Sequence, residues 1–367
     1  MKHTTRPGRL AIGGTICLAA LLLASCGGAT EDGGTRAAPP TTAATESGPL
    51  APKPLPERVT LKVGLGAKTA SFAPVYVAKA LGEFEKENLD VQITEMGPQE
   101  IILLVTQGEL DIAQQSYTAG SFNVLAGQPD QKWIFPGSGQ REGSSHGFWI
   151  NKKLLGDDGQ LQATDFKGVK IYTSGGKPTV ASSYLWKYIQ TLPGADQVTL
   201  DELQFESLAV SEIAVAVKNG AALVGQVITP FQQALVGDAC CQFLDGAYEL
   251  TPGFGYTLGS TMKEKGDDAA RAFVRAMART TRTYLQGDFL KDNAEVRAAL
   301  SQSLEMADDQ LAKLPSPYFD AEFPLQESVV EVQKYFRQIP DTLKYDTDFT
   351  VEQMFDSTYI QDVLAGK

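Results

Sequence analysis

Two successive runs of alternating strand and helix patterns constrain the fold most. The first run predicts, in chain order, a strand, helix, strand, helix, strand and short helix: 59–65, 74–88, 89–94, 99–107, 110–113 and a helix from Tyr117. The second run predicts a strand, helix, strand, helix and strand: 169–172, 178–190, 198–203, 210–218 and 222–228. In the predicted helices apolar residues recur every three to four positions, and in the predicted strands they form short runs or alternate. Such alternation predicts α/β units with largely parallel sheets and helices on both faces.

The length of the chain predicts two lobes, because residues 57–367 are more than one hydrophobic core usually serves. The expected division is a first lobe, a second lobe and a return to the first: 57–145, 146–254 and 255–367. The chain should cross between lobes near 143–147 and 253–255, where glycines suit a hinge. The tail predicts four helices that pack on the first lobe: 267–285, 291–306, 325–338 and 351–364.

The N-terminus has the pattern of an export signal for a lipoprotein. Basic residues precede an apolar stretch over 10–24, which is too short to span a bilayer and ends in Leu23-Ala24-Ser25-Cys26. We therefore expect residues 1–25 to be removed and Cys26 to carry lipid. The mature chain would be anchored on the extracytoplasmic face of the cell membrane.

Residues 26–56 predict a tether between the lipidated cysteine and the lobes. Beyond Cys26 they are mainly Gly, Ala, Thr, Ser and Pro, with too few large apolar side chains to offset the entropy of ordering. About 30 residues of this kind reach roughly 30 Å. The lobes could then move clear of the membrane and still meet a membrane partner.

Charge and histidine content exclude several classes of function. The chain has a net charge of −12, and such an acidic surface repels nucleic acid and anionic headgroups. Outside the predicted signal the single histidine is His146, so a zinc site built on paired histidines cannot form. We read His146 as a solvated or hydrogen-bonded loop residue. The sequence predicts no cofactor, no metal and no nucleic-acid partner, and we expect a monomer.

Cys240 and Cys241 are the cysteines that remain beyond Cys26. They could form a vicinal disulfide in an oxidising compartment. The interpretation we favour is two small buried residues that enter a strand around Phe243 and Leu244.

Three phrases resemble the SsuA/Thi5-like family, which comprises the solute-binding proteins of nitrate, sulfonate, taurine and thiamine-precursor importers. Residues 72–91, FAPVYVAKALGEFEKENLDV, resemble the first helix and following strand of that family. Residues 108–113, GELDIA, and 165–171, DFKGVKI, resemble a later strand entry and the opening of its second lobe. The resemblance implies a periplasmic-binding-protein-like type II fold, with two α/β lobes and a central ligand cleft. Residues 220–231, GAALVGQVITPF, lack the acidic residue and Glu-Pro pair usual in the family, so those contacts are not carried over.

Four loops should line the cleft, because ligands sit beyond the carboxyl ends of strands in open parallel sheets. They are 68–71, 114–117, 174–179 and 229–231. The predicted ligand-binding residues are Thr69, Ser71, Phe72, Gln115, Ser116, Tyr117, Ser174, Lys177, Thr179 and Phe231. The three aromatic rings would cover the ligand and the others would hold its polar end, with Lys177 favouring an anion. An ordinary capped helix start explains the 174–179 loop equally well.

The predicted function is that of an extracytoplasmic solute-binding lipoprotein of an ATP-binding-cassette (ABC) importer. It would capture a small polar organic or anionic solute, such as a sulfonate, nitrate or taurine, by lobe closure. It would then deliver the solute to permease subunits that work with a cytoplasmic ATPase, without catalysis. One alternative ligand is a thiamine-precursor-like heteroaromatic, and solute binding for signalling is a further option. An exported hydrolase is less favoured, since the Ser-x-x-Lys matches at 174–177 and 260–263 lack the accompanying Ser-Asp-Asn and Lys-Thr-Gly motifs.

Overall fold

The framework of the protein is a pair of five-stranded mixed sheets. The computed structural model describes residues 47–139, 146–156, 159–247, 253–322 and 326–367, all within the unit Glu46–Lys367. Several predicted features lie outside the described residues: the signal 1–25, the lipidation site Cys26, residues 27–46 of the tether and residues 143–145 of the first crossing.

The first sheet has the strand order β2-β1-β3-β10-β4. Its strands are β1 (Val59–Leu65), β2 (Leu89–Glu95), β3 (Ile112–Ser116), β4 (Trp133–Pro136) and β10 (Phe254–Leu258). β1 runs parallel to β2 and β3, whereas β10 runs antiparallel to β3 and β4. The carboxyl ends of β1 and β3 therefore meet at one edge of this sheet.

The second sheet has the strand order β7-β6-β8-β5-β9. Its strands are β5 (Gly147–Asn151), β6 (Lys170–Thr173), β7 (Gln204–Ser207), β8 (Val224–Val227) and β9 (Cys241–Phe243). β6 is parallel to β7 and β8, and β5 is antiparallel to β8 and β9. The chain passes to this sheet between β4 and β5 and returns to the first between β9 and β10. We call the two parts built on these sheets the first and second lobes.

Helices flank both sheets. Those between the strands are α1 (Ala73–Ala80), α2 (Pro98–Thr106), α3 (Ala119–Gly127), α4 (Val180–Ile189) and α5 (Val210–Asn219). The tail contains α6 (Met262–Lys265), α7 (Asp267–Tyr284), α8 (Phe289–Asp292), α9 (Ala294–Leu304), α10 (Asp308–Leu311), α11 (Gln326–Phe336), α12 (Val351–Met354) and α13 (Thr358–Leu364). α7 packs on α1 and α13 of the first lobe, whereas α11 contacts α4 of the second. Within the described ranges, every helix is too short or too polar to cross a bilayer.

The sheets are mixed, so the prediction of largely parallel sheets was only partly correct. β5 and β10, the strands that follow the two crossings between sheets, run antiparallel to their neighbours. A strand that enters a sheet from the opposite lobe need not follow a βαβ crossover, which is the connection that imposes parallel order. The prediction also missed the strands β4, β5 and β10 altogether.

Four predicted elements differ clearly from the structure. The helix over 351–364 is divided into α12 (Val351–Met354) and α13 (Thr358–Leu364), because Phe355 adopts an extended backbone. The helix over 74–88 ends at Ala80, because Gly82 adopts a left-handed backbone (φ 71°) that an α-helix cannot contain. The prediction of a strand over 198–203 is wrong. These residues contain a 3-10 turn capped by Thr199 and Glu202, and β7 begins only at Gln204. The helix over 291–306 is interrupted at Asn293, whose side-chain oxygen caps α9.

The last ten residues of the predicted tether pack on the first lobe. Arg279 Nη1 donates to the Leu50 carbonyl at 2.9 Å, and Arg275 Nη2 donates to the Lys53 carbonyl at 3.4 Å. The backbone N–H of Lys53 donates to Glu87 Oε2 at 3.1 Å. The prediction of disorder was therefore wrong for residues 47–56, because buried charged groups of the lobe satisfy the backbone of this segment.

The two cysteines are joined, so the favoured interpretation of two separate buried residues was wrong. Cys240 and Cys241 form a vicinal disulfide at the start of β9. The Cys240 N–H donates to Asp238 Oδ1 at 3.0 Å, and the Cys240 carbonyl accepts from the Lys152 N–H at 2.8 Å. These bonds hold the turn that brings the two sulfurs together. Cys241 is buried against the apolar side chains of α5 and β5, as expected of a strand entry.

Candidate ligand cleft

The lobes meet where the predicted loops of the two sheets face each other. Thr69, just after β1, donates from Oγ1 to the carbonyl of Thr229, just after β8, at 3.3 Å. The Ala119 N–H at the start of α3 donates to the Pro178 carbonyl at 3.3 Å. A third contact comes from the tail, where the Tyr335 hydroxyl donates to the Lys177 carbonyl at 3.0 Å. The structure therefore brings loops of both sheets together at one place.

Thr229 is the centre of a buried polar network on the side of the second lobe. Its N–H donates to His146 Nδ1 at 3.4 Å, and its hydroxyl accepts from Gln232 Nε2 at 3.0 Å. Thr229, His146 and Gln232 are all buried, and the Thr229–Pro230 peptide is cis. Neither His146 nor Gln232 was among the predicted site residues. The sequence contained a hint for each residue. His146 lies in the predicted crossing 143–147, and Gln232 directly follows the predicted loop 229–231.

Burial controls the charge of His146. Removal from water lowers its pKa to about 3, because the buried imidazolium loses its hydration. The ring is therefore neutral at physiological pH and can accept the Thr229 N–H through Nδ1.

His146 should make folding sensitive to mild acid. Its unfolded-state pKa of about 6.5 lies above the folded value, so the unfolded chain binds the extra proton. This contribution to stability is complete above pH 6.5 and is lost as the pH falls. Between pH 7 and pH 5 the wild type should lose about 2 kcal/mol more than His146→Asn, whose amide oxygen can still accept the Thr229 N–H. Denaturant unfolding at both pH values measures this, and equal losses would contradict it.

The first cleft loop holds three predicted residues in one turn. Thr69 Oγ1 accepts from the Ser71 N–H at 3.3 Å and so begins the 3-10 turn Ala70–Phe72. The Phe72 ring contacts Phe254 edge to face, with centroids 5.1 Å apart. Thr69 thus presents its hydroxyl at the lobe contact, whereas Phe72 packs against the first residue of β10.

The second loop, at the end of β3, separates polar from aromatic groups. Gln115 is buried and its Nε2 has no hydrogen-bond partner, while Ser116 Oγ accepts from Gln114 Nε2 at 3.3 Å. The Tyr117 ring packs against Trp133 and Phe355, with centroids 5.2 and 6.0 Å away. These contacts assign Tyr117 to the core of the first lobe and do not support its predicted role as a cover for the ligand.

The third loop is an ordinary capped helix start. Thr179 Oγ1 accepts from the Ser182 N–H at 3.3 Å and caps α4. Lys177 Nζ lies 3.3 Å from the exposed carboxylate of Asp201, so its charge is directed to the surface. Ser174 is exposed, and its carbonyl accepts from Ser207 Oγ at 3.2 Å. In this geometry Lys177 faces Asp201, and an anion contact through Lys177 stays a prediction.

The fourth predicted loop contributes its polar residues and not its aromatic one. Phe231 packs on the apolar cluster of the second lobe that contains Val227 and Leu235. Thr229 and Gln232, on either side of it, form the polar network already described. The structure therefore brings Thr69 and Thr229 together at the lobe contact, with Gln232 and His146 bonded to Thr229. Ser71 lies in the same turn as Thr69, and Gln115 lies at the end of β3.

The first lobe also carries a family signature. The sequence profile of the family described as NMT1/THI5 like matches residues 69–129. This stretch includes the Thr69 turn, β3 and α3. No curated protein matches the sequence.

Several solved structures resemble the whole chain. The periplasmic nitrate-binding protein NrtA from Synechocystis PCC 6803 superposes with a TM-score of 0.58 at 15% identity, over 84% of this chain and 89% of that one. The alkanesulfonate-binding protein SsuA from Xanthomonas axonopodis pv. citri, bound to MOPS, gives 0.51 at 13% identity, over 79% and 97%. A Candida albicans gene product with the generic periplasmic binding protein fold gives 0.50 at 14% identity, over 82% and 96%. The described chain therefore has the two-lobed α/β fold of periplasmic binding proteins, and its first lobe carries the match to the NMT1/THI5-like family.

Proposed function

We propose that the protein is an extracytoplasmic solute-binding protein of an ABC importer. It captures a small polar solute between its lobes and delivers it to permease subunits served by a cytoplasmic ATPase. The observation that carries the proposal is the bond from Thr69 of one lobe to the Thr229 carbonyl of the other, set among buried hydroxyls and amides. A ligand bound there would touch both lobes at once, so binding would favour the closed arrangement. Lipid on Cys26 would keep the protein near its permease.

Binding without catalysis fits the contacts of the lysines in the two Ser-x-x-Lys segments. Lys177 is paired with Asp201, and Lys263 is paired with Asp130. A lysine whose ammonium group is engaged by a carboxylate is not placed to take the proton of a serine. These contacts disfavour the hydrolase alternative.

The first ligands to test come from the neighbours and from the resemblance. NrtA binds nitrate and SsuA binds alkanesulfonates, which suggests nitrate, MOPS and taurine as probes. A pyrimidine represents the heteroaromatic alternative. We propose that Thr69, Ser71, Gln115, Ser116 and Thr229 make polar contacts to whichever of these the cleft accepts.

Binding should appear as thermal stabilisation of the full chain in detergent micelles, followed by tryptophan fluorescence. A ligand at 100 times its Kd stabilises the folded state by about 2.7 kcal/mol. Thr69→Val should reduce that stabilisation because it removes the bond between the lobes. Thr106→Val is the matched control, since the Thr106 hydroxyl bonds only within α2, to the Ile102 carbonyl at 2.7 Å. Equal ligand stabilisation of both variants would argue against this cleft as the site.

A further inference from the structure

Helix α11 of the tail is anchored on the first lobe. Phe336 at its end packs edge to face on Phe122 of α3, with ring centroids 5.6 Å apart. Just after the helix, the Asn123 side chain of α3 donates to the Thr342 carbonyl at 2.9 Å and accepts from the Lys344 N–H at 2.7 Å. Because α3 follows β3 of the first sheet, these contacts fix α11 to the first lobe.

Tyr335 of the same helix bonds to the second lobe. It is 5% exposed, and its hydroxyl donates to the Lys177 carbonyl at 3.0 Å. A carbonyl oxygen can only accept, so the direction of this bond is fixed. Lys177 lies in the loop between β6 and α4, which belong to the second lobe. A helix held by one lobe thus bonds to the backbone of the other.

A backbone contact between the lobes lies beside this bond. Thr118 and Thr179, which cap α3 and α4, form an antiparallel bridge. The Ala119 N–H donates to the Pro178 carbonyl at 3.3 Å. Residues 177–179 are therefore held by two helices of the first lobe, α3 and α11.

The Tyr335 bond is separate from the polar site proposed for the solute. That site joins the lobes through Thr69 and the Thr229 carbonyl, which follows β8, whereas Tyr335 bonds to the loop after β6. We call the arrangement that contains both bonds the closed arrangement. Separating α4 from α11 would break the Tyr335 bond and bring its buried ring into water, and both changes cost free energy.

We propose that Tyr335 is a positioning residue for lobe closure, because its bond to the Lys177 carbonyl favours the closed arrangement before a solute binds. This inference rests on the proposed function and adds a determinant of affinity that lies outside the solute site. When a solute binds only the closed arrangement, its apparent Kd is the intrinsic Kd divided by the closed fraction. Loss of the bond should therefore raise the apparent Kd without removing a contact to the solute.

Hydrogen exchange on the full chain in micelles, without solute, tests the inference first. One hydrogen bond shifts an equilibrium about 3- to 10-fold, so Tyr335→Phe, which keeps the ring, should speed exchange of the Ala119 amide by that factor. This amide reports on closure because its partner, the Pro178 carbonyl, belongs to the other lobe. Amides of β1, which pairs within the first sheet, should exchange as in the wild type. An unchanged Ala119 amide, or equal acceleration in β1, would overturn the inference.

Tyr345→Phe is the matched control. The Tyr345 hydroxyl donates to Gln333 Oε1 of α11 at 2.8 Å, so this variant also removes a hydroxyl bond from the helix but leaves the bond to the second lobe in place. It should leave exchange of the Ala119 amide unchanged. The same acceleration in both variants would assign the effect to a looser α11 and would also overturn the inference.

Calorimetry then separates the inference from the proposed function. The probes are nitrate, MOPS, taurine and a pyrimidine. For each probe that binds the wild type, Tyr335→Phe should raise the Kd about 3- to 10-fold, whereas Tyr345→Phe should leave it unchanged. Equal Kd values for the wild type and Tyr335→Phe would overturn the inference and leave the proposed function standing. If no probe binds the wild type, the proposed function loses its support, and exchange of the Ala119 amide still decides whether Tyr335 holds the lobes together.

Discussion

Replacing Arg279 by methionine should lower the free energy of unfolding by about 3–5 kcal/mol. The Arg279 side chain is 5% exposed. Its guanidinium bonds Glu83 Oε2 at 2.5 Å and Glu87 Oε1 at 2.7 Å. Burial alone would raise the pKa of Glu83, but hydrogen bonds from Lys86 and Arg279 bring it below its ordinary value, so the carboxylate is ionised. Without Arg279, two buried carboxylates would each lose a partner.

Arg282→Met provides the control from the same helix. Arg282 is paired with Glu322, and both side chains are largely exposed, so its loss should cost less than about 1 kcal/mol. Arg279→Lys should fall between the two variants, because an ammonium cannot span both carboxylates and the Leu50 carbonyl. Denaturant unfolding measures all three. Losses for Arg279→Met and Arg282→Met that agree within 1 kcal/mol would contradict the assignment.

Hydrogen exchange offers a second measure of the same cluster. Arg279 and Arg275 hold the carbonyls of Leu50 and Lys53, and Arg275 also holds the carbonyl of Lys367. The Arg279→Met variant should therefore exchange amides faster in residues 50–53 than the Arg282→Met variant.

The order of residues 47–56 depends on partners far away in the sequence. Gly, Ala and Pro in residues 47–56 correctly indicate that the segment has no core of its own. Its order comes from Arg275 and Arg279, more than 200 residues later in the chain. Local composition cannot reveal a partner at that distance.

Elements with strong periodicity were predictable, and elements that depend on distant neighbours were not. β1, α5 and α7 follow their hydrophobic patterns closely. β10 has only five residues, and the second of them is a glycine, so its strand conformation comes from pairing with β3 and β4 on either side. The 3-10 turn after Thr199 was readable, because Thr199 and Glu202 have the spacing of a capping box.

The cleft was predictable in its loops and unpredictable in its side chains. The rule that ligands sit beyond strand ends selected the loops that contain Thr69 and Thr229, which the structure joins. It could not show that Lys177 turns to Asp201 or that Tyr117 turns to Trp133. Those directions depend on which neighbour each side chain finds in three dimensions.

A second large effect is expected at Gly259, which follows β10. A Cβ on this residue would lie 2.0 Å from the Leu110 carbonyl oxygen and 3.1 Å from its carbon. The Gly259 N–H donates to the Asp111 carbonyl at 2.8 Å, so the two backbones are held in register at this distance. Because the obstacle is backbone, a rotamer change cannot relieve the clash. Gly259→Ala should cost about 3 kcal/mol or more.

Asp111 makes this junction stiff, which raises the expected cost. Its carboxylate accepts from the Lys62 N–H of β1 at 2.8 Å and from the Thr261 hydroxyl at 2.9 Å. Moving Gly259 away from Leu110 would stretch these bonds as well. The end of β10 and the entry to β3 would have to separate together.

Gly127→Ala makes the same chemical change, but we expect it to leave the free energy of unfolding unchanged or to raise it slightly. Gly127 ends α3, and nothing lies within 4 Å of an added Cβ. Alanine in a helix is favoured over glycine by about 0.5–1 kcal/mol, so this variant should be neutral or slightly stabilised. Thermal and denaturant unfolding of the two variants test the difference. A Gly259→Ala protein within about 1 kcal/mol of wild type would mean that β10 can shift away from Leu110 at little cost, and the close approach would not then be a constraint on the fold.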